Sequence, residues 1–171
     1  MNLNSLLEYL TDSNPKRLLV LVHPDCVFEM TETHFIEAYL DRLSSSLDDF
    51  DYVITHLMFS KVAPEVVSGI KTRLDLWNDF MAVLNSKSDW IGLDKKFSAS
   101  FNDALPDFLI DNPGTEIYFA GGYQNLCIPD TKKALLSQLK DILRDTDASI
   151  KKEDFLPLVI KDKHKPAFGD T

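Results

Sequence analysis

The spacing of apolar residues changes period along this chain. Leu18–Val22 is an unbroken apolar run, LLVLV, too short for a helix and without polar alternation. That pattern predicts a strand buried on both faces, as in the middle of a parallel sheet. Before it, Leu3, Leu6, Leu7 and Leu10 recur at helical spacing until Ser13-Asn14-Pro15 breaks the pattern. After it, Phe35, Ile36, Tyr39, Leu40, Leu43 and Leu47 predict a helix over about 33–47, which Thr31 or Thr33 can cap. Residues 52–55 predict a second strand that His56–Phe59 can extend. Val67, Ile70, Leu74, Trp77, Met81 and Leu84 form the apolar face of a long helix over 64–84, with Pro64 in its first turn.

Short elements follow: a strand at 90–93 and a helix at 102–110 with Leu105, Phe108 and Leu109 inward. A turn at Asn112-Pro113-Gly114 leads into a strand at 116–120. A helix over 128–143 buries Leu135, Leu139 and Ile142, and a last strand lies at 155–160, where Pro157 marks an edge or an irregular entry. Strands alternating with helices predict a three-layer α/β/α fold with a mostly parallel, Rossmann-like sheet. The expected layout is a single α/β domain over 1–160 and a polar tail over 161–171.

Folds of this class place their sites at the carboxyl ends of strands. Those ends carry His23, Asp25 and Cys26; Thr55 and His56; Lys95 and Lys96; and the stretch Gly121–Cys127. In the last, an apolar strand runs into Gly121-Gly122, and Cys127 follows at the start of a helical pattern. The positive end of a helix dipole favours a thiolate. The ordinary alternative is a cysteine packed as a small apolar residue.

Composition narrows the partners. The formal net charge is -9, from 18 basic and 27 acidic residues. This argues against a broad phosphate-binding surface and so against a nucleic-acid partner. No apolar run nears the roughly 20 residues of a membrane span, and the first residues do not resemble a secretory leader. Two cysteines are too few for a disulfide framework or a four-cysteine zinc site. Free thiols suggest a reducing, cytoplasmic compartment.

Taken in order, the four clusters resemble the isochorismatase-like cysteine hydrolases, the superfamily of nicotinamidases and N-carbamoylsarcosine amidases. The family's cysteine segment reads G-V-x-T-x-x-C-V-x-x-T. Here Gly121, Cys127, Ile128 and Thr131 stand at the matching places. The family lysine and its aromatic-S-A-F patch match Lys95–Phe101 approximately, with Lys95 as the lysine and Lys96 as the fallback. The resemblance spans roughly residues 17–143. It implies a small amide-type substrate, a thioester on Cys127, Lys95 holding the thiolate, and backbone N–H groups near Leu126 and Cys127 stabilising the oxyanion. It implies no cofactor, and self-association is a further expectation.

Three departures accompany the match. His23 stands where the family has its catalytic aspartate, with Asp25 two residues on. Thr55-His56-Leu57-Met58-Phe59 replaces T-R-D-x-H, so the nicotinamidase metal site is not expected. Gly122 replaces an aliphatic residue that follows a cis peptide bond in the family, which leaves the Gly121-Gly122 bond open. His23 becomes the candidate base, as in other cysteine–histidine pairs. Asp25, His56, Gly122, Tyr123 and Gln124 are the candidate substrate contacts. A loop histidine, a helix-capping or solvent-facing Asp25, a half-buried strand residue at His56 and a solvated lysine pair are the competing structural roles. Beside the hydrolase stands a second reading: a relative that has lost catalysis and binds a small molecule or a protein. A third is an unrelated α/β domain.

Overall fold

The computed structural model describes residues 14–30, 32–58, 73–91 and 104–162. Among these residues six strands form one sheet: β1 (Arg17–Val22), β2 (Tyr52–His56), β3 (Asp89–Ile91), β4 (Glu116–Gly122), β5 (Ser149–Ile150) and β6 (Val159–Ile160). Their order is β3-β2-β1-β4-β5, with β6 also beside β4, and every pairing is parallel. The apolar run 18–22 is therefore a central strand, flanked by β2 and β4. Leu18, Leu19, Leu21 and Val22 are fully buried. Each contributes about 2 kcal/mol by leaving water.

Among the described residues five helices complete the layers: α1 (Thr33–Ser46), α2 (Leu74–Lys87), α3 (Ala104–Asp111), α4 (Cys127–Gln138) and α5 (Lys140–Asp145). α1 packs on α2, while α3 and α4 both pack on α5. The result is the expected three-layer α/β arrangement with a parallel, Rossmann-like sheet. Among the described residues no helix is long and apolar enough to cross a membrane.

Several boundaries differ from the sequence expectation. α2 begins among the described residues at Leu74 and runs to Lys87, three residues past Leu84. Its buried face holds Phe80 and Leu84, with Trp77 and Met81 half-buried, whereas Leu74 is about half exposed. Phe80 turns inward because it meets Phe28 edge-on at 5.4 Å, and Trp77 does the same at 5.1 Å. The helix expected over 128–143 is two helices, parted at Leu139. The strand expected over 155–160 is a 3-10 turn, Leu156–Leu158, and only two strand residues; Pro157 at the start of the turn favours that shape. The expected elements at 2–10 and 64–72, and most of the polar tail, lie outside the described residues.

The sheet order reverses between β1 and β4, since β2 leads away on one side and β5 on the other. In parallel sheets such a switch point opens a crevice at the carboxyl ends. The two strands meet closely there: Gly121 has φ +96, and a Cβ on it would lie 1.8 Å from the carbonyl oxygen of Val22. Only glycine fits. Gly121→Ala is expected to lower stability by about 3 kcal/mol or more. A urea denaturation midpoint within error of the wild type would contradict this close approach.

Candidate functional site

The segment after β1 begins at His23, which takes a left-handed conformation, φ 41 and ψ 49. Left-handed backbone is uncommon for any residue but glycine, and histidine tolerates it better than most. It turns the chain into a 3-10 turn, Pro24–Glu29, whose residues 24–28 are buried. Two further contacts fix that turn. Asp25 Oδ1 accepts a hydrogen bond from the Met58 N–H at 2.9 Å, and Arg73 Nη1 donates to the carbonyls of Met30 at 2.7 Å and Phe28 at 3.3 Å. Asp25 is thus a fully buried tie between the ends of β1 and β2. Arg73, a buried side chain without a sequence signal, does the same work from the start of α2.

His23 is held against β2. Its N–H donates to the His56 carbonyl at 2.7 Å, and its Nε2 lies 3.0 Å from His56 Nδ1. The ring planes are 35° apart. Burial, reinforced by His56, pulls the His23 pKa down to about 4, and burial lowers that of His56 as well. Both imidazoles are neutral at pH 7.

Cys127 is the first residue of α4 and is half-buried. Thr131 Oγ1 donates to its carbonyl at 2.7 Å, which locks the first turn. Cys127 and His23 line one groove of about 530 Å³ together with Asp130, Lys133, Ala134, Ser137 and Gln138 of α4. The loop after β1 and the helix after β4 therefore converge at the switch point. These are the two candidates, nucleophile and base, that share the groove.

The other candidates fall around it. His56 backs His23. Gly122 is buried against Cys26, whose Sγ would lie 2.5 Å from a Cβ added there. Cys26 itself is fully buried packing, and burial, with help from Asp25, Glu29 and Cys127, pushes its thiol pKa well up despite the opposing influence of the Tyr123 hydroxyl. Tyr123 is half-buried and donates its hydroxyl to Glu29; burial, then this bond, raises its pKa. The Gln124 N–H donates to Ile160 at 3.0 Å. Lys95 and Lys96 lie outside the described residues. The cis peptide bond is Gly122–Tyr123, one residue beyond the position the resemblance singles out. Among the described residues no cluster of three or more His, Cys, Asp or Glu could hold a metal ion.

One expectation is corrected. The N–H groups of Leu126 and Cys127 are not directed at a ligand. Both donate to the Tyr123 carbonyl at 3.1 Å, joined by Ile128 at 3.4 Å. Pro129 has no N–H, and Asp130 donates to the Leu126 carbonyl at 3.4 Å. The donors that a helix N-terminus usually leaves open are satisfied within the turn.

Compared with protein-family models, curated proteins and solved structures, the chain matches none.

The histidine pair makes stability depend on acid. A histidine held neutral in the fold binds fewer protons than the same residue unfolded, so stability is full above about pH 6.5 and falls as pH drops toward 4. For His23 the loss by pH 5 is about 2 kcal/mol. Urea unfolding at pH 7 and pH 5 should show that loss, and His23→Gln should reduce it. Equal losses in both proteins would contradict the depressed pKa.

Proposed function

We propose that this chain is a cysteine hydrolase acting on a small amide-type substrate, with Cys127 as nucleophile and His23 as base. The observation that carries the reading is the shared groove: a thiol at a helix start and a neutral imidazole line it together, beside the point where the sheet order reverses. The resemblance to isochorismatase-like hydrolases at Gly121, Cys127, Ile128 and Thr131 agrees with it.

His23, neutral at pH 7, takes the thiol proton. The Cys127 sulfur bonds to the amide carbon, the C–N bond breaks, and the amine leaves with that proton. Water then adds to the thioester, the C–S bond breaks, and the acid and the free thiol are restored. The resemblance assigns Lys95 to hold the thiolate. Each oxyanion donor contributes about 3 kcal/mol in such chemistry. The Cys127 N–H serves as one only when the Tyr123 carbonyl gives way to the substrate oxygen. Turnover is accordingly slow until a substrate reshapes that turn.

That same closed turn favours a second reading, in which the groove binds a small molecule without turning it over. Ammonia release from a panel of small primary amides separates the two. The hydrolase reading expects release that falls at least about 100-fold in both Cys127→Ala and His23→Ala. Release that survives Cys127→Ala, or amides that bind the groove without release, would overturn it.

A further inference from the structure

His56 ends β2 and His23 follows the end of β1; the register sets Val22 opposite His56, so the first residue after β1 lands on the His56 backbone and ring together. The contact is doubly tied: N–H to carbonyl at 2.7 Å, and ring nitrogen to ring nitrogen at 3.0 Å. Two neutral imidazoles at that distance share one proton, and the sharing has two arrangements. In one, His56 Nδ1–H donates to His23 Nε2; the neutral His23 ring then carries its own proton on Nδ1 and has no free lone pair. In the other, His23 Nε2–H donates to the His56 Nδ1 lone pair, and His23 Nδ1 remains basic.

We infer that His56 is the positioning residue of the site, accepting the His23 Nε2–H at its Nδ1 and so holding His23 in the tautomer whose Nδ1 can accept a proton. The inference rests on the proposed role of His23 as base. It gives His56 the place that a carboxylate or amide fills in other nucleophile–histidine arrangements, where a third group orients the base. A carboxylate there would draw a positive charge onto the base. A second imidazole orients it without charge, which suits the depressed pKa of both rings.

Nitrogen-15 spectra of the histidine rings at pH 7 test this on the wild-type chain, with His56→Leu and His56→Asn beside it. Asparagine can place an oxygen where Nδ1 stood; leucine cannot. The wild type should show His23 protonated at Nε2 and bare at Nδ1. His56→Leu should lose that preference and slow iodoacetamide alkylation of Cys127 by roughly ten-fold, and His56→Asn should recover most of both. A proton on His23 Nδ1 in the wild type, or a tautomer indifferent to leucine, overturns the role of His56 alone. The expected tautomers with alkylation unchanged in both His56→Leu and His23→Ala would instead overturn the Cys127–His23 reading beneath it.

Discussion

The carbonyl of Val22 and the α-carbon of Gly121 lie closer than any side chain would permit. The rest of the candidate site depends on that approach. β1 and β4 pair in parallel through Val22 and Gly121, so both strands end at the same level. The chain leaves β1 as His23 and leaves β4 through Gly122 and Tyr123 into α4. Buried ties then hold each exit in place: Asp25 and Arg73 on the first, and Thr131 with the Tyr123 carbonyl on the second.

The histidines of the site are neutral because burial penalises the charged ring, and His56 further discourages charge on His23. The helix N-terminus beside Cys127 has closed its donors on one carbonyl. The low pKa of His23 keeps its ring neutral at pH 7 but also makes it a weak proton acceptor, and the closed donor set is not ready for an oxyanion. The proposed chemistry therefore depends on a change in the Tyr123 turn when substrate binds, and the reading of a pocket without turnover follows if that change does not occur.

The sequence showed the fold where burial alone decides structure. The run 18–22 is apolar throughout because both of its faces are covered, and it proved central. The strand 116–120 was legible from its apolar run, and the helix start at Cys127 from the Gly121-Gly122 turn and the helical spacing that follows. β5, two residues long, was too short to show a period, and of the strand expected over 155–160 only the two residues of β6 are extended, after a proline-containing turn. The break at Leu139 left no signal because Leu135, Leu139 and Ile142 continue the apolar stripe across it. At the site, residue types identified His23 and Cys127. Their convergence depends on strand order, and the contact of His23 with His56 depends on register, which residue types do not encode. The closed turn was illegible because it depends on where one carbonyl points.

The central claim, that His23 activates Cys127, is tested most directly by the rate at which iodoacetamide alkylates Cys127 at pH 7 in the wild type and in His23→Ala. Peptide mapping reads it apart from the fully buried Cys26. A rate at least about ten-fold lower is expected in His23→Ala. Equal rates in the two proteins would mean that the groove holds an ordinary thiol beside a structural histidine, and would contradict that claim.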